Sequence, residues 1–190
     1  MRRILLALAA ALLLAACNQG GQDEDAGPAT AAPNDADVTF NQNMIPHHQQ
    51  AIEMAKLVDA HTKRPELRTL AEAITTSQGQ EITLMQGWLQ SWGKPATPEG
   101  MDHGAMQMPG MMSELEMRQL RVINGEDFDL MFLDMMTAHH EGAIEMANTE
   151  LRDGSLPEVK RLAQQIIDAQ QAEIDQFEQW NKEWLPPPNR

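Results

Sequence analysis

Two stretches of the chain hold the residues best suited to chemistry, Met44-Ile45-Pro46-His47-His48 and Met136-Thr137-Ala138-His139-His140. Each sets a thioether three and four residues ahead of a histidine pair, and four of the six histidines in the chain stand in these two places. Thioethers are good ligands for cuprous copper and silver and poor ones for ferric iron, manganese or magnesium, while imidazole serves copper in either oxidation state. The pattern therefore points to copper, Cu(I) or Cu(II), or to silver. The di-iron carboxylate centres of helical bundles need Glu-x-x-His. Three residues before each histidine stand Met44, Ile45, Val58, Gly100, Met136 and Thr137, with no glutamate among them. A single cysteine, Cys17, excludes a thiolate cluster and an internal disulfide.

Side chains adjacent on a helix point about 100° apart, so one ligand and one hydrogen-bonded partner per histidine pair is the easier arrangement. His48 and His140 lie one full turn after Met44 and Met136, which favours them as ligands over His47 and His139. Glu81 and Glu173, with Gln78 and Gln170, recur at matching places further along. They are candidates to hold a ligand histidine by its other ring nitrogen, since metal-bound imidazoles are commonly fixed that way. Met54 and Met146 read as core residues, and Glu53 and Glu145, opposite the histidine face, read as solvated. A third cluster, Met101, His103, Met106, Met108, Met111 and Met112, falls among Gly and Pro. Exposed methionine in a flexible loop adds little to a core and is open to oxidation, so this segment reads as an auxiliary site that captures and hands over a soft cation.

These residues must be positioned by helices. With Met44 as origin, His47, His48, Ala51, Ile52, Met54 and Ala55 fall within an arc of about 160°, so both histidines lie in the apolar stripe. Helical spacing runs from Asp37 to about Ala60, with Pro46 expected to mark a start or a kink. Pro65-Glu66 opens a second helix, with Leu67, Leu70, Ile74, Met85, Trp88 and Trp92 on its buried side and a stop at Gly93-Lys94-Pro95. Ser113 and Glu116 form a capping box for a short helix ending at Asn124-Gly125. A long helix follows from Glu126 to about Asn148, and a last one is opened by Pro157-Glu158 and closed by Pro186-Pro187-Pro188.

An offset of 92 aligns residues 40–92 with 132–184 without a gap, and 19 of these 53 pairs are identical. The pairs include Pro65 and Pro157, Ile74 and Ile166, Gln78 and Gln170, Glu81 and Glu173, Trp88 and Trp180. The chain is therefore a duplicated helical hairpin, and two hairpins each hiding one apolar stripe combine simply as an all-α four-helix bundle. A short extra helix precedes the third long one. Hairpin 1 spans 37–92, the Met-rich loop 93–112 and hairpin 2 113–186, one domain of 37–186.

Met1-Arg2-Arg3 and the apolar run Ile4–Ala16, too short for a stable span, lead to Leu14-Ala15-Ala16-Cys17, which resembles the lipobox of bacterial lipoprotein signal peptides. Residues 1–17 thus read as an export signal with a lipidated Cys17, and 18–36 as a flexible acidic tether. Fourteen Lys and Arg against 28 Asp and Glu give a net charge of −14, which makes nucleic acid an unsuitable partner. Loss of residues 1–16 removes two arginines, leaving 12 against 28, or −16. The expected protein faces the periplasm, tethered to membrane by lipid alone.

Phe40, Met44-Ile45-Pro46-His47-His48, Ala51-Ile52 and Met54-Ala55, with Gly125, Phe128-Asp129, Phe132 to Met136, His139-His140, Ala143-Ile144 and Met146-Ala147, carry a resemblance to the bacterial domain of unknown function 305 family. It covers about residues 38–185. The resemblance implies a ferritin-like fold, export to the periplasm, and binding of copper or silver in metal resistance. The expectation is a metal-buffering or delivering lipoprotein without catalytic activity, working with another envelope metal-handling protein. The rivals are a ferritin-like metallo-oxidase and a structural bundle that docks an envelope partner.

Overall fold

The computed structural model describes residues 32–97 and 108–185; the leader, Cys17, most of the tether, Met101, His103, Met106 and the closing prolines lie outside them. Its elements are α1 (Asp35–His61), α2 (Pro65–Ser91), α3 (Glu114–Leu120), α4 (Glu126–Asp153) and α5 (Pro157–Trp184), with no strand among the described residues. Pro65 and Pro157 open α2 and α5 as expected, and Gly93 ends the first hairpin at φ 66°, a value a side chain would resist.

Three boundaries differ from the sequence reading. Helix α1 begins at Asp35, because Asn34 accepts from the Asp37 amide and Asp37 accepts from the Asn34 amide in a reciprocal cap. It neither starts at Pro46 nor stops there. A helix-interior proline costs about 3 kcal/mol, but Met44, Ile45, His47 and His48 around it are all buried, and fully burying a large apolar side chain returns about 1.5–3 kcal/mol. Asn124-Gly125 does not end α3, which stops at Leu120; Gly125, at φ 66°, instead leads into α4, its amide bonded to the His61 carbonyl. Helix α4 continues five residues past Asn148, to Asp153.

Helices α1 and α2 pack as one hairpin and α4 and α5 as the other, and the hairpins meet along α1 and α4. One apolar cluster joins the second half of α1 and the start of α2 to the start of α4 and the end of α5, around Phe128, Phe132 and Phe177. The other joins the first half of α1 and the end of α2 to the second half of α4 and the start of α5, around Phe40, Met85 and Ile166. All neighbours are therefore antiparallel. Since α2 ends beside one cluster and α4 starts in the other, the connection between them has to travel the length of the bundle, the long-crossover arrangement of ferritin-like folds. Between the clusters lies a polar layer.

Candidate metal centre

The polar layer is made of the two histidine pairs. His47, His48, His139 and His140 are all fully buried. The rings of His47 and His139 face each other across the junction of the hairpins, 3.8 Å between centroids. His48 and His140 sit further out, each donating from Nε2 to a carboxylate: Glu81 at 2.6 Å and Glu173 at 2.6 Å. Glu81 and Glu173 are repeat equivalents, so the two halves build the same contact. With Nε2 carrying the proton, the lone pair of each imidazole is left on Nδ1.

His47 is treated differently from its equivalent. Its Nε2 donates to the Pro109 carbonyl at 3.1 Å, whereas neither ring nitrogen of His139 has a partner. In all, five ring nitrogens of this layer are buried without a hydrogen bond: Nδ1 of His47, His48 and His140, and both nitrogens of His139. An unsatisfied buried polar group costs about 1–3 kcal/mol. Five of them rival the roughly 5–15 kcal/mol net stability of a whole domain. Burial, then the positive charge His48 would carry, pushes His47 down to about 3. Burial, then His47 and His140, holds His139 well below its ordinary value. Both rings are thus neutral at ordinary pH, the form that binds metal.

Met44 and Met136 are fully buried one turn away, Met44 in one apolar cluster and Met136 in the other, so that the layer has a thioether on each side. Gln78 and Gln170 are buried with side-chain oxygens unpartnered and make no hydrogen bond to the histidines. Among the described residues no three His, Cys, Asp or Glu side chains gather as a metal cluster, which leaves mixed imidazole and thioether donors as the set on offer. Met54 is core, as read. Glu53 and Glu145 are exposed.

The described part of the Met-rich segment departs from its expected flexible, exposed state. Met108 is buried, Met111 and Met112 are half-buried, and Met112 packs on the core. The cause is a strap. Gln50 donates to the Met112 carbonyl at 2.8 Å and accepts from its amide at 2.7 Å, as a neighbouring strand would. Gly110, at φ 75°, rests on α4, where a Cβ would come within 2.5 Å of the Ala138 carbonyl oxygen. A Cβ on Gly142 would lie 2.0 Å from the Pro109 carbonyl oxygen. Gln50 and Gly142 are themselves repeat equivalents. The sequence signal for this contact is the mismatch between the copies, Gln50 in one and Gly142 in the other.

The profile of one family, Domain of unknown function (DUF305), matches residues 37–181. Among solved structures, a DUF305 protein from Streptomyces coelicolor, named as a candidate secreted protein, is 34% identical with a TM-score of 0.73, covering 78% of this chain and 93% of that one. CopM in the Cu(II)-bound form is 36% identical, TM-score 0.68, covering 78% and 97%. CopM in the Cu(I)-bound form is 33% identical, TM-score 0.66, covering 79% and 98%, and CopM is also solved with silver bound. A comparison with curated proteins finds no match.

Proposed function

We propose a function from the premise that this chain belongs to the DUF305 family: it binds copper or silver as cargo, in the histidine layer between its hairpins. The observation that carries this is the set of five buried, unpartnered ring nitrogens, a polar deficit that a bound cation would cancel. Cu(I) and Ag(I) suit neutral imidazole with neighbouring thioether. In this reading His47, His48, His139 and His140 supply nitrogen, Met44 and Met136 supply sulfur, and Glu81 and Glu173 fix the outer rings. Met108, Met111 and Met112 of the strap, with Met101, His103 and Met106 beyond the described residues, form an auxiliary capture segment. CopM, solved with Cu(I), Cu(II) and silver, supports the choice of ion.

The protein holds and passes on the ion and does not turn over a substrate. Apolar clusters close the layer above and below, and the strap lies against it, a setting suited to retention. The location is extracytoplasmic, with Cys17 as the lipid anchor and a second envelope metal-handling protein as the recipient. An anaerobic Cu(I) titration of the full chain against a chromophoric chelator tests the reading. The four-histidine alanine variant should lose the tight equivalents; equal binding by the variant sinks it, and oxygen consumption on Cu(I) loading would promote the oxidase alternative.

A further inference from the structure

The hairpins meet along α1 and α4, which leaves α2 and α5 on the outside. These two helices are repeat equivalents, yet they present different surfaces. Between Ala73 and Ser91 of α2 the only charged residue is Glu81, and it is bonded to His48. The matching stretch of α5, Gln165 to Glu183, carries six: Asp168, Glu173, Asp175, Glu178, Lys182 and Glu183. Glu173 is the counterpart of Glu81 and is bonded to His140. At the other five places α2 has Thr76, Thr83, Gln86, Gln90 and Ser91, all of them exposed. In a chain of net charge −14, a long exposed helix face without charge is a poor choice for solubility alone.

The uncharged residues are also in register. Ala73, Thr76, Gln80, Thr83, Gly87 and Gln90 follow one another at alternating steps of three and four, the spacing of a coiled-coil seam, and all six are exposed. Leu84, one turn after Gln80 and 44% exposed, gives the seam an apolar flank. Glycine in a helix interior is destabilising relative to alanine, so Gly79 and Gly87 call for a reason. Their counterparts on α5 are Gln171 and Gln179. Among the described residues no atom comes within 4 Å of a Cβ built on either glycine, so the room they leave is not used inside the molecule. Such room suits the close approach of a second backbone.

We propose that the outer face of α2 is a homodimer interface, packed antiparallel against α2 of a second copy of this chain about a two-fold axis at Gln80. Charge selects the occupant. Carboxylates such as those of α5 would serve a basic partner, whereas an acidic copy of the same chain is repelled by them, and α2 is the helix from which they are missing. The register follows from the same residues. Centred on Gln80, the pair sets Thr76 against Thr83 of the second copy and Ala73 against its Gly87, so the smallest residues face each other. Arg68 and Glu72, exposed at the near end of the helix, then lie opposite the uncharged stretch from Gly87 to Ser91, whereas parallel packing would set each against itself. Antiparallel packing also opposes the helix dipoles favourably. A seam of threonine and glutamine buries little apolar area, so the dimer is weak and reversible.

Sedimentation of the full chain from about 10 μM to about 1 mM, the range in which weak pairs form, should show the mass rising toward twice that of the monomer. Thr76→Asp with Thr83→Asp, which copies Asp168 and Asp175 of the other half, should hold the chain monomeric over the same range with its helical circular dichroism unchanged. In a Cys17→Ser background, Gln80→Cys should form disulfide-linked dimers on mild oxidation. Ala172→Cys, its exposed counterpart on α5, should not, and neither should Ala73→Cys, which faces Gly87. A monomer at every concentration overturns the second copy as occupant and leaves the face to a different protein. Equal cross-linking of Gln80→Cys and Ala172→Cys, or dimers that persist in T76D/T83D, overturns it as well by placing the contact elsewhere.

Discussion

Hairpin 1 and hairpin 2 agree at their outer histidines and disagree at their inner ones. His48 and His140 donate to Glu81 and Glu173 at the same 2.6 Å. Yet His47 is tied to the strap while His139 is free, and Gln50 grips the strap where Gly142 only makes room for it. The bundle ends differ similarly. Asp129 is paired with the Arg64 guanidinium at 3.0 Å, which also lies over Trp184. Its equivalent Asp37 is bonded to the Ser155 and Leu156 amides instead. Burial opposes the Asp37 charge, but those bonds and the one from Asn34 hold its carboxyl below the ordinary value. Duplication thus supplies a near-symmetric pair of donors, and the single crossover, which cannot be duplicated, makes the pair unequal.

The largest effect expected follows from removing what the halves share. His47→Ala with His139→Ala should abolish the tight Cu(I) equivalents in a chelator competition, and retention of either would mean each half holds an ion on its outer histidine alone. Next come Glu81→Gln and Glu173→Gln, each expected to weaken binding by about 10–100-fold, as loss of a carboxylate that orients a ligand usually does. Equal losses place the ion on the axis between the hairpins; a loss from one variant only assigns it to that half. Gly142→Ala probes the difference itself. Its methyl group cannot coexist with the Pro109 carbonyl, so the strap must shift, at about 1–3 kcal/mol of stability read from denaturant unfolding. Gln50→Ala, losing two hydrogen bonds of about 1 kcal/mol each, should follow just below it.

Acidity offers the gentlest way to separate the halves. Glu150 moves from an ordinary 4.5 to about 8 on folding, so between those values the folded chain binds a proton that the unfolded chain does not. Stability from this group is complete below about 4.5 and declines as pH rises toward 8. Glu150→Gln should flatten that part of the profile in urea titrations run across the range, whereas an unchanged slope would place its origin elsewhere.

Much of this fold was legible because punctuation and periodicity are local. Pro65, Pro157, Gly93 and the Ser113 cap marked their boundaries, and the 92-residue offset exposed the two hairpins. Of the two readings of Pro46, the start is excluded, since its local penalty is outweighed by burial on both sides that only the assembled bundle provides. The strap was misjudged for a related reason: Met108 to Met112 have no helical period of their own, and their burial comes from a groove formed by two helices distant in sequence. Glu150 went unremarked because a glutamate near a helix end reads as solvated until Asp37, 113 residues earlier, is brought beside it.

Anomalous diffraction from a crystal of the silver-loaded chain tests the central claim most directly. The account predicts a strong peak within bonding distance of the histidine layer, with Nδ1 of His48 or His140 or a nitrogen of His139 among its neighbours. Peaks confined to surface or strap methionines, with the four imidazoles left bare, would contradict it.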